Sequence, residues 1–234
     1  MYLLFGSKMA LLQDTGAGNV DPSPLIAKLI QDWANQRKAE PPPLLVVHSH
    51  PHGDHIAFDP SFKAMPNVEL VPADQASIRS RFKLDPWPQT QGSIDLGDRV
   101  VDLIPIPGHT DADLALYDRN TALLLTGDVL YPGRLYIRDL SQFVASIDRL
   151  VEFTATRPVA HILGTHIEQS RIPYQDDLFK GDSKNPPFDP MNEHVLELSR
   201  GELLELQAEL KALNGTPARV RLRSFTLWPV KPRE

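Results

Sequence analysis

The chain has 234 residues, a formal net charge of −6, no cysteine and a 41% share of hydrophobic residues. This length fits one large domain or two small ones, and the apolar share is enough for a packed core, which excludes general disorder. The lack of cysteine excludes a disulfide framework, an iron–sulfur cluster, a cysteine-ligated zinc site and a thiol nucleophile. The mild acidity argues against nucleic acid or an anionic membrane as the main partner, and no apolar run is long enough to span a membrane.

The cellular compartment stays open at this stage. A chain without cysteine suits oxidising and reducing surroundings alike, and Lys8 interrupts the apolar start, so a signal peptide is not predicted. We expect a soluble protein, either cytoplasmic or exported with its leader removed, that acts on a small molecule. The sequence does not predict its oligomeric state.

The N-terminal part of the chain predicts strands and one amphipathic helix. Two short apolar runs, at residues 2–5 and 10–13, predict a β-hairpin. Asp21 or Ser23 can cap a helix that follows. The apolar positions of this helix are spaced for one face, and they are Leu25, Ile26, Leu29, Ile30 and Trp33. Residues 44–47 form a continuous apolar run with the length of a buried strand.

The remaining chain alternates between the two kinds of element. Strands are predicted at residues 68–71, 99–106, 114–117, 122–126, 159–163 and 220–228. Helices are predicted at residues 73–82 and 140–156, and a third begins at a capping box formed by Ser199 and Glu202. This mixture predicts an α/β or α+β fold in a single domain over residues 1–234.

Three segments are predicted as loops that decide substrate choice. They are residues 84–92, 131–138 and 167–192. The last is polar, proline-rich and too long for an ordinary connection, so we expect it to lie near the active site as a rim or cover.

The densest chemical signal directly follows the apolar run at residues 44–47. Residues 48–55 read His-Ser-His-Pro-His-Gly-Asp-His, which places four histidines and one aspartate within eight residues. Neutral imidazole nitrogens and carboxylate oxygens are zinc ligands. A loop that leaves the end of a rigid strand can direct several such donors at one point, so we favour a metal site over a solvated histidine-rich turn.

Three further donor residues follow the ends of other predicted strands. They are His109, Asp128 and His166. Alone, a histidine or aspartate at the end of a strand is more often a hydrogen-bonded structural residue. Four donor-bearing strand ends in one chain, however, are what a site at one edge of a sheet requires.

Together these segments resemble the metallo-β-lactamase-fold hydrolases, and in particular their glyoxalase II-like and lactonase-like dinuclear branch. The family motif His-x-His-x-Asp-His fits in one register only, at His50, His52, Asp54 and His55. The resemblance implies an αββα sandwich, in which two mixed β-sheets lie face to face and are flanked by helices. It also implies two divalent metal ions. Zinc is the first choice, with iron or manganese as alternatives, because ligand type alone does not decide between them.

The resemblance assigns seven metal ligands and two catalytic residues. It implies that His50, His52 and His109 bind the first ion, that Asp54, His55 and His166 bind the second, and that Asp128 bridges both. Asp54 is also implied to shuttle a proton. Tyr131 stands at the offset where lactone-opening members place a tyrosine that hydrogen-bonds the substrate carbonyl, although an ordinary packed tyrosine is the alternative.

Two neighbouring residues are expected to support the site. His48 precedes the motif, and we expect it to hold the motif in place rather than to bind metal. Asp113 either orients a ligand histidine from behind or is an ordinary turn carboxylate.

We therefore expect a dinuclear metal-dependent hydrolase that cleaves an ester, thioester or lactone by attack of a metal-bridging hydroxide. Ile56-Ala57-Phe58 replaces the Gly-Gly pair that usually follows the motif in hydrolases of glutathione thioesters, which argues against that substrate. One alternative is β-lactam hydrolysis, although Asp128 stands where true β-lactamases of this fold carry Cys or Ser. The other is a mononuclear iron enzyme with oxygen chemistry, similar to the sulfur dioxygenases, which the complete seven-ligand set disfavours.

Overall fold

The structure is a computed structural model that describes residues 1–173 and 191–230. The chain divides into two compact units. The first comprises Met1–Leu103 and Asp118–Asn120, and the second comprises the described residues of Ile104–Tyr117 and Thr121–Glu234. The single domain remains a prediction, and most of the predicted long loop at 167–192 lies outside the described residues.

The first unit is built on a four-stranded sheet with the order β1-β2-β3-β4. Its strands are β1 (Tyr2–Phe5), β2 (Ala10–Gln13), β3 (Leu44–Val47) and β4 (Val68–Leu70). β1 and β2 form the predicted antiparallel hairpin, whereas β2, β3 and β4 are parallel. The helices are α1 (Ser23–Arg37), α2 (Gly53–Ile56), α3 (Asp59–Lys63) and α4 (Gln75–Phe82). A further strand, β5 (Gly92–Asp95), pairs antiparallel with the start of β6 (Val100–Pro105).

Helix α1 buries a narrower face than the sequence predicted. Ile26 and Ile30 pack in a core cluster with side chains of β2 and β3, and Ala34 continues the same row. Leu25 and Leu29, predicted on this face, are 59% and 41% exposed. The prediction was wrong for these two leucines because one residue along a helix turns a side chain by about 100°, out of the row at i, i+4 and i+8.

The second unit contains two sheets and two helices. Its strands are β7 (Leu114–Asp118), β8 (Leu123–Gly127), β9 (Arg134–Ile137), β10 (His161–Gly164), β11 (Glu197–Leu198), β12 (Val220–Arg221) and β13 (Thr226–Pro229). One sheet has the order β11-β10-β8-β7-β6, and the other has the order β12-β13-β9. The helices are α5 (Leu140–Phe153) and α6 (Arg200–Ala212). No helix among the described residues is long and apolar enough to cross a membrane.

Both helices of the second unit contribute the apolar faces that the sequence predicted. Phe143 and Ile147 of α5 are fully buried in the same core cluster as Leu203 and Leu206 of α6. The predicted capping box at the start of α6 is present. The Ser199 side chain accepts a hydrogen bond from the backbone N–H of Glu202, and the Glu202 side chain accepts one from the backbone N–H of Ser199. The mixed α/β class is therefore confirmed.

Two predictions in the C-terminal half differ from the structure. The segment 131–138, predicted as a loop, contains strand β9, whose partner β13 follows about ninety residues later and leaves no local signal. The predicted strand at 220–228 is two strands, β12 and β13, because the chain turns between Leu222 and Phe225, where the Leu222 N–H donates to the Phe225 carbonyl.

Candidate metal-binding residues

The histidine motif lies at the carboxyl end of β3, in the first unit. All four residues of β3 are buried, which fixes the point where the chain leaves the sheet. His50 follows this strand and is buried, whereas the short helix α2 begins after His52 and carries Asp54 and His55. Asp54 is the exposed member, with 46% of its side chain accessible.

Within this unit the donor atoms converge in two pairs. His50 Nε2 and His52 Nδ1 are 2.9 Å apart, and His55 Nε2 and Asp54 Oδ2 are 3.6 Å apart. Ligand bonds of 2.0–2.2 Å in a tetrahedral zinc site place ligand atoms about 3.4 Å from each other. The second pair matches that spacing, and the first pair reaches it with a movement of about half an ångström.

Asp14 orients two histidines of the motif. Its carboxylate accepts a hydrogen bond from His55 Nδ1 at 3.0 Å and others from the Ser49 backbone N–H and hydroxyl. Ser49 Oγ in turn lies 3.1 Å from His50 Nδ1. With each Nδ1 engaged in this way, the Nε2 lone pairs of His50 and His55 are the ones available to a metal ion.

Asp14 has no predicted role in the sequence, where it directly follows the second run of the predicted hairpin. Asp14 has a left-handed backbone with φ of 64°, which is uncommon for a residue other than glycine. A constrained, buried aspartate of this kind is typical of a functional site.

His48 makes two hydrogen-bond contacts within the first unit, and its predicted role in supporting the motif stays a prediction. Its Nδ1 lies 3.2 Å from the Val71 carbonyl, and its Nε2 lies 2.9 Å from Asp59 Oδ1. Asp59 also accepts a hydrogen bond from the Thr15 hydroxyl. Both ring nitrogens of His48 are therefore used inside the first unit.

Asp128 is the centre of the donor group in the second unit. It directly follows β8 and is buried. Its Oδ2 lies 3.6 Å from His109 Nε2, and its Oδ1 lies 3.3 Å from His166 Nε2. The Thr165 hydroxyl also donates to Oδ1. Each oxygen of one carboxylate thus faces a different histidine, at the spacing of two ligands on a shared ion.

The ring of His109 is held by backbone. Its Nδ1 donates to the Tyr136 carbonyl at 2.8 Å, which leaves Nε2 for Asp128 and for an ion. Asp113 accepts hydrogen bonds from the backbone N–H groups of His109 and Thr110. Asp113 therefore fixes the main chain that carries His109 rather than its ring. Burial raises the pKa of Asp113 to about 8, against the opposing effect of these hydrogen bonds.

The loop before His109 packs directly on helix α5. Gly108 has φ of 145°, and a Cβ added there would lie 2.5 Å from the Phe143 Cα. The Gly108 carbonyl accepts hydrogen bonds from the backbone of Arg138 and Asp139, at the start of the same helix. Only glycine allows this close approach, so the position of His109 depends on it.

Tyr131 is buried beneath this group. Its hydroxyl donates to the Arg134 carbonyl and lies 3.1 Å from Glu168 Oε2, while its ring is 5.5 Å from that of His166. Burial, together with the negative charges of Glu168 and Asp128, raises the pKa of Tyr131 well above its usual value, so the phenol stays protonated. Its predicted role at the substrate carbonyl stays a prediction.

All seven predicted ligands belong to groups of histidine and aspartate side chains that can hold a metal ion. The chemistry of these donors fits zinc, since each is an imidazole nitrogen or a carboxylate oxygen. The rest of the chain offers no cysteine as a competing soft ligand.

The family model of the metallo-beta-lactamase superfamily matches residues 1–218. The chain therefore belongs to this superfamily, and the resemblance seen in the motif is confirmed. Like that superfamily, it is a metal-dependent hydrolase.

Two kinds of curated relative are similar to this chain. The acyl-coenzyme A thioesterase MBLAC2 of Bos taurus is 29% identical over 201 residues, which cover 71% of this chain and 72% of the relative. A hydroxyacylglutathione hydrolase of Methylococcus capsulatus is 30% identical over 109 residues, which cover 45% of this chain and 42% of the relative.

Solved structures show the same fold. A metallo-beta-lactamase from Pontibacter korlensis superposes with a TM-score of 0.56 at 16% identity, over 89% of this chain and 85% of that one. A metallo-beta-lactamase superfamily protein from Sulfolobus tokodaii gives a TM-score of 0.52 at 14% identity, over 94% and 82%. At these identities the likeness establishes the fold and leaves the substrate open.

Proposed function

We propose that this chain is a dinuclear metal-dependent thioesterase that hydrolyses acyl-coenzyme A thioesters, within the wider class of ester, thioester and lactone hydrolases. The observation that carries the proposal is the geometry of Asp128. Each of its two oxygens faces the Nε2 atom of a different histidine, at 3.6 Å for His109 and 3.3 Å for His166. A carboxylate that has a separate histidine at each oxygen is suited to bridge two ions.

The proposed ligand set is the one that the family motif implies. By that motif, His50, His52 and His109 would hold the first ion, Asp54, His55 and His166 would hold the second, and Asp128 would serve both. The Nδ1 atoms of His50, His55 and His109 each have a hydrogen-bond partner. This supports the assignment, because a histidine that binds metal through one ring nitrogen almost always donates a hydrogen bond from the other.

The ions, when bound, lower the pKa of water to supply a nucleophile near neutral pH and stabilise the oxyanion of the substrate carbonyl. The chain needs no serine or cysteine for this reaction. The carboxylate of Asp54 is exposed, so it can accept the proton released from the attacking water and pass it on to solvent. The buried Asp128 offsets positive charge and holds the two histidines of its unit in place.

The two relatives favour coenzyme A over glutathione as the thiol of the substrate thioester. The thioesterase resembles this chain over 71% of its length, whereas the hydroxyacylglutathione hydrolase matches only 45% of it. Ile56-Ala57-Phe58, in place of the Gly-Gly pair, points away from glutathione thioesters in the same direction.

Hydrolysis by zinc-loaded protein of an acyl-coenzyme A, an aryl ester, a lactone and a chromogenic cephalosporin tests the substrate class. We expect the highest kcat/KM for the acyl-coenzyme A. Asp128→Ala and His109→Ala should each lower turnover by about a hundredfold or more while the protein stays folded, because each removes a metal ligand.

Two matched variants control for the loss of a carboxylate or an imidazole elsewhere. Asp32→Ala removes an aspartate paired with Lys28 on the surface of α1, and His161→Ala removes an exposed histidine of β10. Both should keep full activity. Near-wild-type turnover in Asp128→Ala or His109→Ala would refute the ligand assignment, and a preference for the cephalosporin would refute the substrate class.

A further inference from the structure

The three-stranded sheet β12-β13-β9 has one apolar face and one face of arginine and aromatic side chains. Successive side chains of a strand point to opposite faces. Along β9, Leu135 and Ile137 are buried in the core, whereas Arg134 and Tyr136 are only partly buried. The second pair therefore lies on the solvent side of the sheet.

The strand register places further residues on the same face of the sheet as Arg134 and Tyr136. Tyr136 lies opposite Trp228 of β13, and Thr226 lies between Arg134 of β9 and Arg221 of β12. Directly paired residues share a face of a sheet. Arg219 directly precedes β12, and its guanidinium carbon lies 3.2 Å from the Trp228 ring centre. We refer to this surface as the arginine face, and it consists of Arg134, Tyr136, Arg219, Arg221 and Trp228.

Two of these arginines stack on one tryptophan. The Arg134 guanidinium carbon is 5.2 Å from the Trp228 ring centre, and Tyr136 contacts the same ring edge-on, with 6.2 Å between centres. A guanidinium that lies on an indole keeps its plane fixed while the N–H groups at its edge point outward. Those N–H groups match the spacing of phosphate oxygens and can bind them in pairs.

The charge of this surface contrasts with that of the whole chain. Three arginines share one face of a small sheet in a protein of net charge −6. Arg219 and Arg221 are both exposed, so a polyanion can reach their guanidinium groups from solvent.

One hydrogen bond joins the arginine face to a proposed metal ligand of the same unit. The carbonyl of Tyr136 accepts the hydrogen bond from His109 Nδ1, so one residue of β9 contributes both to the face and to the anchoring of a ligand. A substrate with its reacting carbonyl at His109 and a phosphorylated tail along β9 would be held at both ends.

We propose that the arginine face binds the phosphorylated nucleotide end of a coenzyme A thioester. This inference rests on the proposed function, and it deepens that function by naming the part of the chain that distinguishes coenzyme A from smaller thiols. Arg219 and Arg221 are the phosphate-binding residues, and Trp228 holds the Arg219 guanidinium in place.

The test compares two thioesters of the same acyl group, one on coenzyme A and one on N-acetylcysteamine, which has no nucleotide. Arg219→Gln and Arg221→Gln should each lower kcat/KM for the acyl-coenzyme A about tenfold, the loss expected for one charge-assisted hydrogen bond. The N-acetylcysteamine thioester should change by less than about twofold. Arg37→Gln is the matched control, since Arg37 stacks on Trp33 in the first unit with 4.1 Å to the ring centre, and it should alter neither substrate.

Equal losses on both thioesters, or no loss on either, would overturn the proposal and leave the thioesterase intact. If the wild type hydrolyses neither thioester, the proposed function fails, and calorimetric binding of adenosine 3′,5′-bisphosphate still tests the face. Binding that weakens with salt and is lost in Arg219→Gln supports a nucleotide site. Absent binding, or equally tight binding of pyrophosphate, contradicts it.

Discussion

Single residues behind the proposed metal ligands decide how the histidines point. Asp14 engages His55 directly and His50 through the Ser49 hydroxyl, and all of these atoms are buried in the first unit. A carboxylate behind a histidine fixes its tautomer and makes its other nitrogen a better ligand. The affinity of the motif for metal should therefore depend on a residue that binds no metal.

We expect Asp14→Asn to lower zinc affinity ten- to a hundredfold, because the amide cannot accept from both His55 and Ser49 as the carboxylate does. Competition with a chromogenic chelator measures this directly. Asp59→Asn is the control: Asp59 also pairs with a histidine, His48, which is not a proposed ligand. An equal loss of zinc affinity in both variants would show that Asp14 acts on general stability alone.

The proposed donors form a recognisable pattern in the sequence, whereas the residues that support them do not. A motif of fixed spacing, from His50 to His55, places its donors on one loop, and so it can be recognised without a structure. Asp14 lies 41 residues from His55, and their contact arises only when β2 and β3 pair in parallel. A contact of that kind leaves no local pattern in the sequence.

At the scale of elements, helix α5 and the loop before it form one packed unit. The Gly108 carbonyl accepts from the first residues before α5, and the Ser146 hydroxyl of the helix donates to the Pro107 carbonyl at 2.7 Å. These hydrogen bonds therefore join the loop both to the residues before α5 and to the helix itself. Any side chain at position 108 would push them apart.

Gly108→Ala should destabilise the fold by about 1–3 kcal/mol more than Gly18→Ala, as expected for overpacking against backbone atoms. Both glycines have a positive φ, but a Cβ at Gly18 meets nothing within 4 Å, whereas one at Gly108 meets the Phe143 backbone. Urea unfolding of the metal-free variants measures the difference. Equal destabilisation would mean that backbone conformation alone, without close packing, requires glycine at position 108.

Elements with a strong local period were predicted well, and those that depend on distant partners were not. Helix α6 was predicted from its capping box and its leucines, which lie on one buried face. Strand β9 was missed because its four residues acquire a strand geometry only beside β13. The row at Leu25 and Leu29 was mistaken for core because hydrophobic character is not a direct measure of burial.

At the scale of the whole molecule, the chain distributes its donors and charges unevenly. The first unit carries the compact histidine motif, and the second carries Asp128, the two histidines beside it and the arginine face. The family match ends at residue 218, so β12 and β13, which carry Arg221 and Trp228, lie beyond it. The nucleotide recognition that we propose for this face is therefore a feature that the family model does not cover.

The most direct test of this account is metal analysis of the purified protein by plasma mass spectrometry, beside thioesterase activity before and after chelation. We predict about two zinc ions per chain, with activity lost on chelation and restored by zinc, because the seven proposed donors include a carboxylate whose two oxygens each face a different histidine. One iron per chain, with no thioesterase activity restored by zinc, would contradict the dinuclear hydrolase and favour oxygen chemistry instead.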